Sequence, residues 1–151
     1  LEQALQVIRW YGWRWRIEQL FAVLKQYGLD LEATQLESVA AIKRLCVLSL
    51  GAALRTLQVH LGRHDEARSA DIVFSEAQQR CLAALNGRLY GRTRKQQNPF
   101  APKTLAWASW LIARLGGWLG YSSQRPPGIA TYFRRLKDFD RIFDGWSMAH
   151  L

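Results

Sequence analysis

The positions of hydrophobic and polar residues follow the period of an α-helix along most of the chain. Apolar residues recur every three or four positions in several long stretches, and no stretch alternates convincingly with the two-residue period of a strand. This pattern predicts a mainly α fold.

Glycine, proline and capping residues set the limits of the predicted helices. Gly28 and Gly62 are placed to end the first two helices, and Ser75 begins a capping box for the third. The predicted helices run over 1–26, from Thr34 or Ser38 to about 61, from 75 to about 90, and from 104 to 116, followed by one or two short helices over 129–150. The segment between the third and fourth helices, 91–102, is predicted to be a loop.

One side of the first predicted helix carries polar side chains in an ordered row. At 100° per residue, four of them share a stripe roughly 60° wide, which we call the polar stripe: Tyr11, Arg14, Glu18 and Lys25. The adjacent face is apolar, and we expect it to be mostly buried: Trp10, Trp13, Ile17, Leu20 and Leu24.

The polar stripe combines groups that suit phosphoryl chemistry. A carboxylate such as that of Glu18 can hold a divalent metal ion, and a guanidinium such as that of Arg14 can bind a phosphate with two hydrogen bonds. The simpler alternative is an i, i+4 ion pair between these two residues on a surface helix, which contributes only ~0.5 kcal/mol. Spacing alone leaves both interpretations open.

The net charge of +9 is concentrated in one interval of the chain. No Asp or Glu occurs between Glu76 and Asp138, whereas eleven Lys and Arg residues do. The densest group, which we call the basic cluster, consists of Arg88, Arg92, Arg94 and Lys95. Such a field attracts a polyanion, so nucleic acid is the expected partner. The alternative is a solvated basic surface that keeps the protein soluble.

The predicted fourth helix carries two regular stripes. One has the heptad spacing of a seam between helices: Leu105, Ala108, Ile112, Leu115 and Leu119. Beside it runs a stripe of small residues, from Ala106 to Gly120, which would let another helix approach closely. The seam could join two copies of the chain in a homodimer, or it could pack within one chain.

Composition narrows the class of protein further. Apolar residues make up 49% of the 151 residues, which excludes a chain that is disordered throughout. The two cysteines, Cys46 and Cys81, argue against a disulfide scaffold, and both are expected to be buried thiols. Because no long uncharged apolar stretch and no signal-peptide layout are evident, we expect a cytoplasmic protein without membrane contact.

The polar stripe resembles a known signature. Tyr-x2-Arg-x3-Glu-x6-Lys is the YREK signature of bacterial cut-and-paste DDE transposases, and the stripe matches it without a change in spacing. Farther along, 113–117 and 128–130 are similar to the C-terminal region of transposases of the transposon-five type. The basic cluster lies where those proteins have a Lys/Arg-rich loop, so the resemblance touches most of the chain in order.

The resemblance implies a role for each residue of the polar stripe. Glu18 would be the third carboxylate of the DDE triad and a ligand for Mg²⁺ or Mn²⁺ in a two-metal site. Tyr11 and Arg14 would hold phosphates of the transposon end near the cut, and Lys25 would contact the backbone beside it. The implied partners are DNA and a second copy of the protein, in a homodimer or synaptic complex, with no small-molecule substrate.

The resemblance also implies a domain organisation. Residues 1–65 would be the terminal helices of an RNase H-like catalytic domain, and 66–151 a helical domain for dimerisation and DNA contact. No Asp precedes Asp30, so the other two triad carboxylates are expected upstream of Leu1, and the chain alone is expected not to cut DNA. Two alternatives remain: a non-enzymatic truncated transposase that inhibits through heterodimers, and an unrelated basic helical DNA-binding module.

Overall fold

The computed structural model describes residues 1–26, 33–121 and 124–149 of the chain. Helical residues make up 72% of this part, which confirms the predicted mainly α class. No strand forms within these ranges, where Ser69 and Thr104 make an isolated antiparallel bridge. The α-helices that the structure describes are α1 (Glu2–Gln26), α2 (Val39–Leu61), α3 (Glu76–Leu89), α4 (Leu105–Leu115) and α5 (Ile129–Met148).

The limits of these helices agree closely with the capping signals. The Ser75 hydroxyl accepts a hydrogen bond from the Gln78 backbone N–H at 3.2 Å, and the Gln78 side chain accepts from the Ser75 N–H at 3.0 Å. The Thr104 hydroxyl caps α4, and α2 begins directly after Ser38. The last segment forms one helix rather than two. Gly28, predicted to end α1, lies outside the described residues.

The chain divides into two compact units, 1–57 and 58–151, and the division falls inside α2. In the first unit, most of α1 is exposed: every residue from Leu1 to Glu18 is solvent-exposed. The expectation of a mostly buried apolar face is therefore wrong for Trp10, Trp13 and Ile17, which are each more than half exposed. The predicted functional boundary between residues 65 and 66 remains a prediction.

In the second unit, α4 lies at the centre of the core. Every residue from Leu105 to Ala113 is buried, and α4 contacts α3, α5 and the 3-10 turn Gly62–His64. Apolar side chains from α3 and α5, including Leu82 and Phe139, complete this core. A helix that is apolar on all sides is stable in water only when neighbouring elements cover it, as they do here.

The stripe of small residues on α4 allows a close approach within the chain. The Ser109 hydroxyl donates a hydrogen bond of 2.7 Å to the Val59 carbonyl near the end of α2. Gly62 lies against the Leu105 side chain so closely that a Cβ at Gly62 would overlap it. Ser109 on α4 and Gly62 after α2 therefore both permit the close approach of these two segments.

The burial of α4 bears on the two interpretations of its heptad stripe. Leu105, Ala108 and Ile112 are at most 1% exposed and belong to the core of one chain. Leu115 is half-buried and Leu119 is exposed. The structure thus favours the alternative of packing within the chain, because the central seam residues cannot reach a second copy in this fold.

Of two further expectations, the absence of membrane contact stays a prediction and the burial of one cysteine is wrong. In the described residues, the stretch Val39–His64 is long and apolar enough, by length and composition, to cross a membrane. This is weak evidence, since core helices pass the same test and Val59 within the stretch is fully buried. Cys81 is buried as expected, but Cys46 is exposed, because the part of α2 around it is uncovered.

Candidate nucleic-acid interface

Two residues of the polar stripe form an ion pair on the exposed surface of α1. The Arg14 Nε atom donates a hydrogen bond of 3.0 Å to Glu18 Oε1. The two side chains are 74% and 50% exposed, so water screens the pair and both groups remain accessible to a ligand. This geometry satisfies the simple ion-pair interpretation, and it also places a carboxylate and a guanidinium side by side.

The other two residues of the polar stripe lie on the same helix. Glu18 and Lys25 line one open depression together with Phe21 and Ala22. Tyr11 is exposed one turn before Arg14. Because α1 runs without a break, all four residues lie along one side of it and are open to solvent.

The residues present do not fit a complete metal centre. Across 1–26, 33–121 and 124–149, no group of three or more His, Cys, Asp or Glu side chains could hold a metal ion. Glu18 would supply a single carboxylate, whereas a two-metal site needs several oxygen ligands. The Mg²⁺ or Mn²⁺ prediction therefore concerns a complete catalytic domain.

The structure separates the eleven cations of the acid-free interval into two groups. Four are engaged within the chain: Arg80 pairs with Glu76, Arg135 with Asp138, Lys137 lies over the Phe133 ring, and Arg114 binds carbonyl groups. The others are exposed, and their side chains make no hydrogen bond, ion pair or ring contact with another described residue: Arg88, Arg92, Arg94, Lys95, Lys103, Arg125 and Arg134. The whole basic cluster belongs to the second group.

Gln96 organises the loop that carries most of the basic cluster. Its backbone carbonyl accepts from the Gly91 N–H at 3.2 Å, and its side-chain Oε1 accepts from the Thr93 N–H at 3.3 Å. A Cβ at Gly91 would overlap the Gln96 side chain, so a larger residue there would force that side chain to move. These bonds involve no cation, and the charged side chains of the loop are left exposed to solvent.

Arg114 is a cation whose role the sequence did not reveal. Its guanidinium donates to the Leu89 carbonyl at 3.0 and 2.6 Å and to the Trp118 carbonyl at 2.8 Å. It also lies over the Trp110 ring, 5.4 Å from the centroid. Burial lowers the pKa of Arg114. It therefore fastens the segment after α4 to α3 and is not available to a phosphate.

An aromatic cavity in the second unit was also missed by the sequence analysis. It has a volume of about 290 Å³, and rings of Phe100, Trp110, Trp118 and Tyr132 line it. The sequence signal was the density of Trp, Tyr and Pro between residues 99 and 132, which composition alone could not assign to one cavity.

A scan of the chain against models of known protein families finds no match.

Proposed function

We propose that this chain is a DNA-binding part of a DDE transposase. In this proposal residues 1–65, which include α1 and α2, are the terminal helices of an RNase H-like catalytic domain, and 66–151 form a helical domain for dimerisation and DNA contact. Glu18 provides one carboxylate of the triad, and the remaining carboxylates come from residues outside this chain.

One observation carries the proposal. The accessible Arg14–Glu18 pair, with Tyr11 and Lys25 on the same side of one continuous helix, has the residue types and the spacing of the YREK signature. An ordinary surface ion pair would need only two of these residues. A phosphate bound at the stripe would find a guanidinium, an ammonium and a phenol, which are all suitable donors.

The exposed apolar face of α1 supports the same proposal. Trp10, Trp13 and Ile17 are each more than half exposed, and they lie beside the polar stripe. Exposed apolar surface of this extent is characteristic of an interaction site. In an RNase H-like domain a sheet would cover this face and leave the polar stripe at its edge.

The basic cluster supplies the second support. Its four side chains are exposed, and the Gln96 bonds order the loop independently of them. Such cations contribute binding energy mainly by displacing counterions from DNA, which makes the affinity depend steeply on salt. This observation also fits the second candidate, a basic helical DNA-binding module, in which the polar stripe has no function.

A pair of double variants on one helix distinguishes the two candidates. Arg14→Ala with Lys25→Ala removes two cations of the polar stripe, and Arg9→Ala with Arg16→Ala removes two from the opposite side of α1. The dissociation constant of a labelled DNA duplex is measured by fluorescence anisotropy over a range of salt concentrations. We expect the first double variant to reduce the slope of log affinity against log salt by about 2.

The control double variant should leave that slope unchanged, because its cations face away from the stripe. Equal reductions in both would show only general charge attraction and would favour the basic module. Failure of the unmodified chain to bind duplex DNA would refute both candidates.

A further inference from the structure

The aromatic cavity of the second unit has the size and composition of a ligand site. Its volume of about 290 Å³ is close to the lower limit of small-ligand pockets. Besides the rings of Phe100, Trp110, Trp118, Tyr121 and Tyr132, three prolines line it. Such a wall of flat, rigid side chains favours a flat aromatic ligand.

The walls of this cavity are fixed by contacts of the chain itself. The Arg114 guanidinium holds the Trp118 carbonyl and lies over Trp110, so one residue positions two of the lining elements. Gly120 has φ +78°, a conformation that favours glycine, and its backbone lies against the Trp110 indole. The cavity therefore does not need a ligand in order to form.

A cation lies at the cavity without a matching acid. Arg63 lines the cavity and is half-buried, and among the described residues no carboxylate pairs with it. The acid nearest along the chain, Asp65, binds Arg68 at 3.1 Å. Tyr132 lines the same cavity; burial raises the pKa of its phenol to about 12, and the charge of Arg63 opposes that rise. A partly desolvated cation of this kind attracts an anion.

We propose that the cavity binds an unpaired nucleobase and that Arg63 binds the phosphate next to it. A free nucleotide and a single strand share the required chemistry, which is an aromatic ring with an anionic group close to it. Loop 91–102 carries three cations of the basic cluster and also supplies Phe100 to the cavity. This continuity favours a strand, and the choice of a strand rests on the proposed DNA-binding function.

The test uses a short single-stranded oligonucleotide that contains 2-aminopurine, whose fluorescence is quenched when it stacks on an aromatic ring. We expect the chain to quench the probe. Trp118→Leu should weaken binding about tenfold and abolish most of the quenching, because a stacking partner is lost. Trp118→Phe keeps a ring and should restore most of both signals.

Charge is tested with a matched pair of single variants. Arg63→Gln removes the cation at the cavity, and Arg134→Gln removes an exposed cation from α5 that does not line it. We expect Arg63→Gln to weaken binding of the probe about tenfold. Arg134→Gln should change it much less. Equal effects of the two would overturn the role of Arg63.

Further measurements distinguish the possible ligands, and they separate the cavity proposal from the DNA-binding proposal. Quenching of 2-aminopurine nucleoside monophosphate at the same concentration as the oligonucleotide would assign the cavity to free nucleotides and overturn the strand. Displacement of the probe by a lower concentration of a phosphotyrosine peptide would overturn nucleic acid as the ligand.

Neutralising the whole basic cluster to Gln should reduce the salt slope for duplex DNA by about 3 to 4. If that slope falls while Trp118→Leu leaves the 2-aminopurine signal unchanged, the cavity proposal is wrong and the DNA-binding function stands. Absence of binding to both duplex and single strand by the unmodified chain would instead remove the DNA-binding function and the strand together.

Discussion

Two tryptophan-rich helices of this chain have opposite environments. In α1, Trp10, Trp13 and Trp15 are 55%, 60% and 57% exposed, whereas in α4 Trp107 and Trp110 are 2% and 4% exposed. Both segments show apolar residues at helical spacing. The spacing of apolar residues therefore identifies the helix face whose burial would stabilise the fold. Whether that face is buried depends on the other elements that pack against it.

The cover of α4 comes from specific neighbours. The 3-10 turn at Gly62–His64, α3 and α5 all contact it, and small side chains on α4 permit the close approach. In α1 only Val23 and Leu24 are buried among its described side chains. The second unit thus holds a complete core of its own, while α1 presents a surface that another element could occupy.

The largest expected effect comes from truncating a buried side chain of α4. Leu111→Ala in α4 should lower the free energy of unfolding by about 3 kcal/mol, because it leaves a cavity in a fully buried site. Ile17→Ala in α1 should lower it by no more than about 0.5 kcal/mol, since Ile17 is largely exposed. Urea denaturation followed by circular dichroism measures both. Similar losses for the two variants would show that α1 is covered in solution.

Alkaline pH should lower the stability of the second unit. Burial raises the pKa of Tyr132 from 10.0 to about 12, so the folded chain keeps a proton that the unfolded chain loses in this range. Stability should therefore fall as pH rises from 10 to 12, by about 2 kcal/mol. Urea midpoints across this range measure the loss. Tyr132→Phe lacks the titrating group, and its stability should fall less; an equal fall would place the cause elsewhere.

The smallest effect is expected at the surface of α1. A double-mutant cycle with Arg14→Gln and Glu18→Gln should give a coupling free energy of about 0.5 kcal/mol that disappears in high salt. Thermal unfolding at low and high salt provides the measurement. Arg114→Gln is the matched variant in the second unit. The loss of stability that it causes should persist in high salt, because the hydrogen bonds of Arg114 are shielded from solvent. A strong, salt-resistant coupling between Arg14 and Glu18 would mean that this part of α1 is not on the surface.

Local signals in the sequence were sufficient for the helices. The capping box at Ser75, the cap at Thr104 and the glycines after α4 each act within a few residues, so their effect can be read without the rest of the fold. The placement of the polar stripe on one side of α1 follows from helical geometry in the same way.

Burial and partnership were harder to predict because they depend on residues far apart in sequence. Heptad spacing on α4 fits a dimer seam and an internal core equally well, and only the position of α3 and α5 decides between them. The role of Arg114 depends on the Leu89 carbonyl, twenty-five positions away. Charge counting included this arginine among the cations expected to attract nucleic acid, although its hydrogen bonds are all internal to the chain.

The contact between Gly62 and Leu105 has a consequence for how this chain can evolve. A methyl group at position 62 would collide with the first residue of α4, so a lone replacement of the glycine disrupts the junction. A smaller side chain at position 105 would restore the space. Tolerated substitutions at these two sites should therefore arise as a compensating pair.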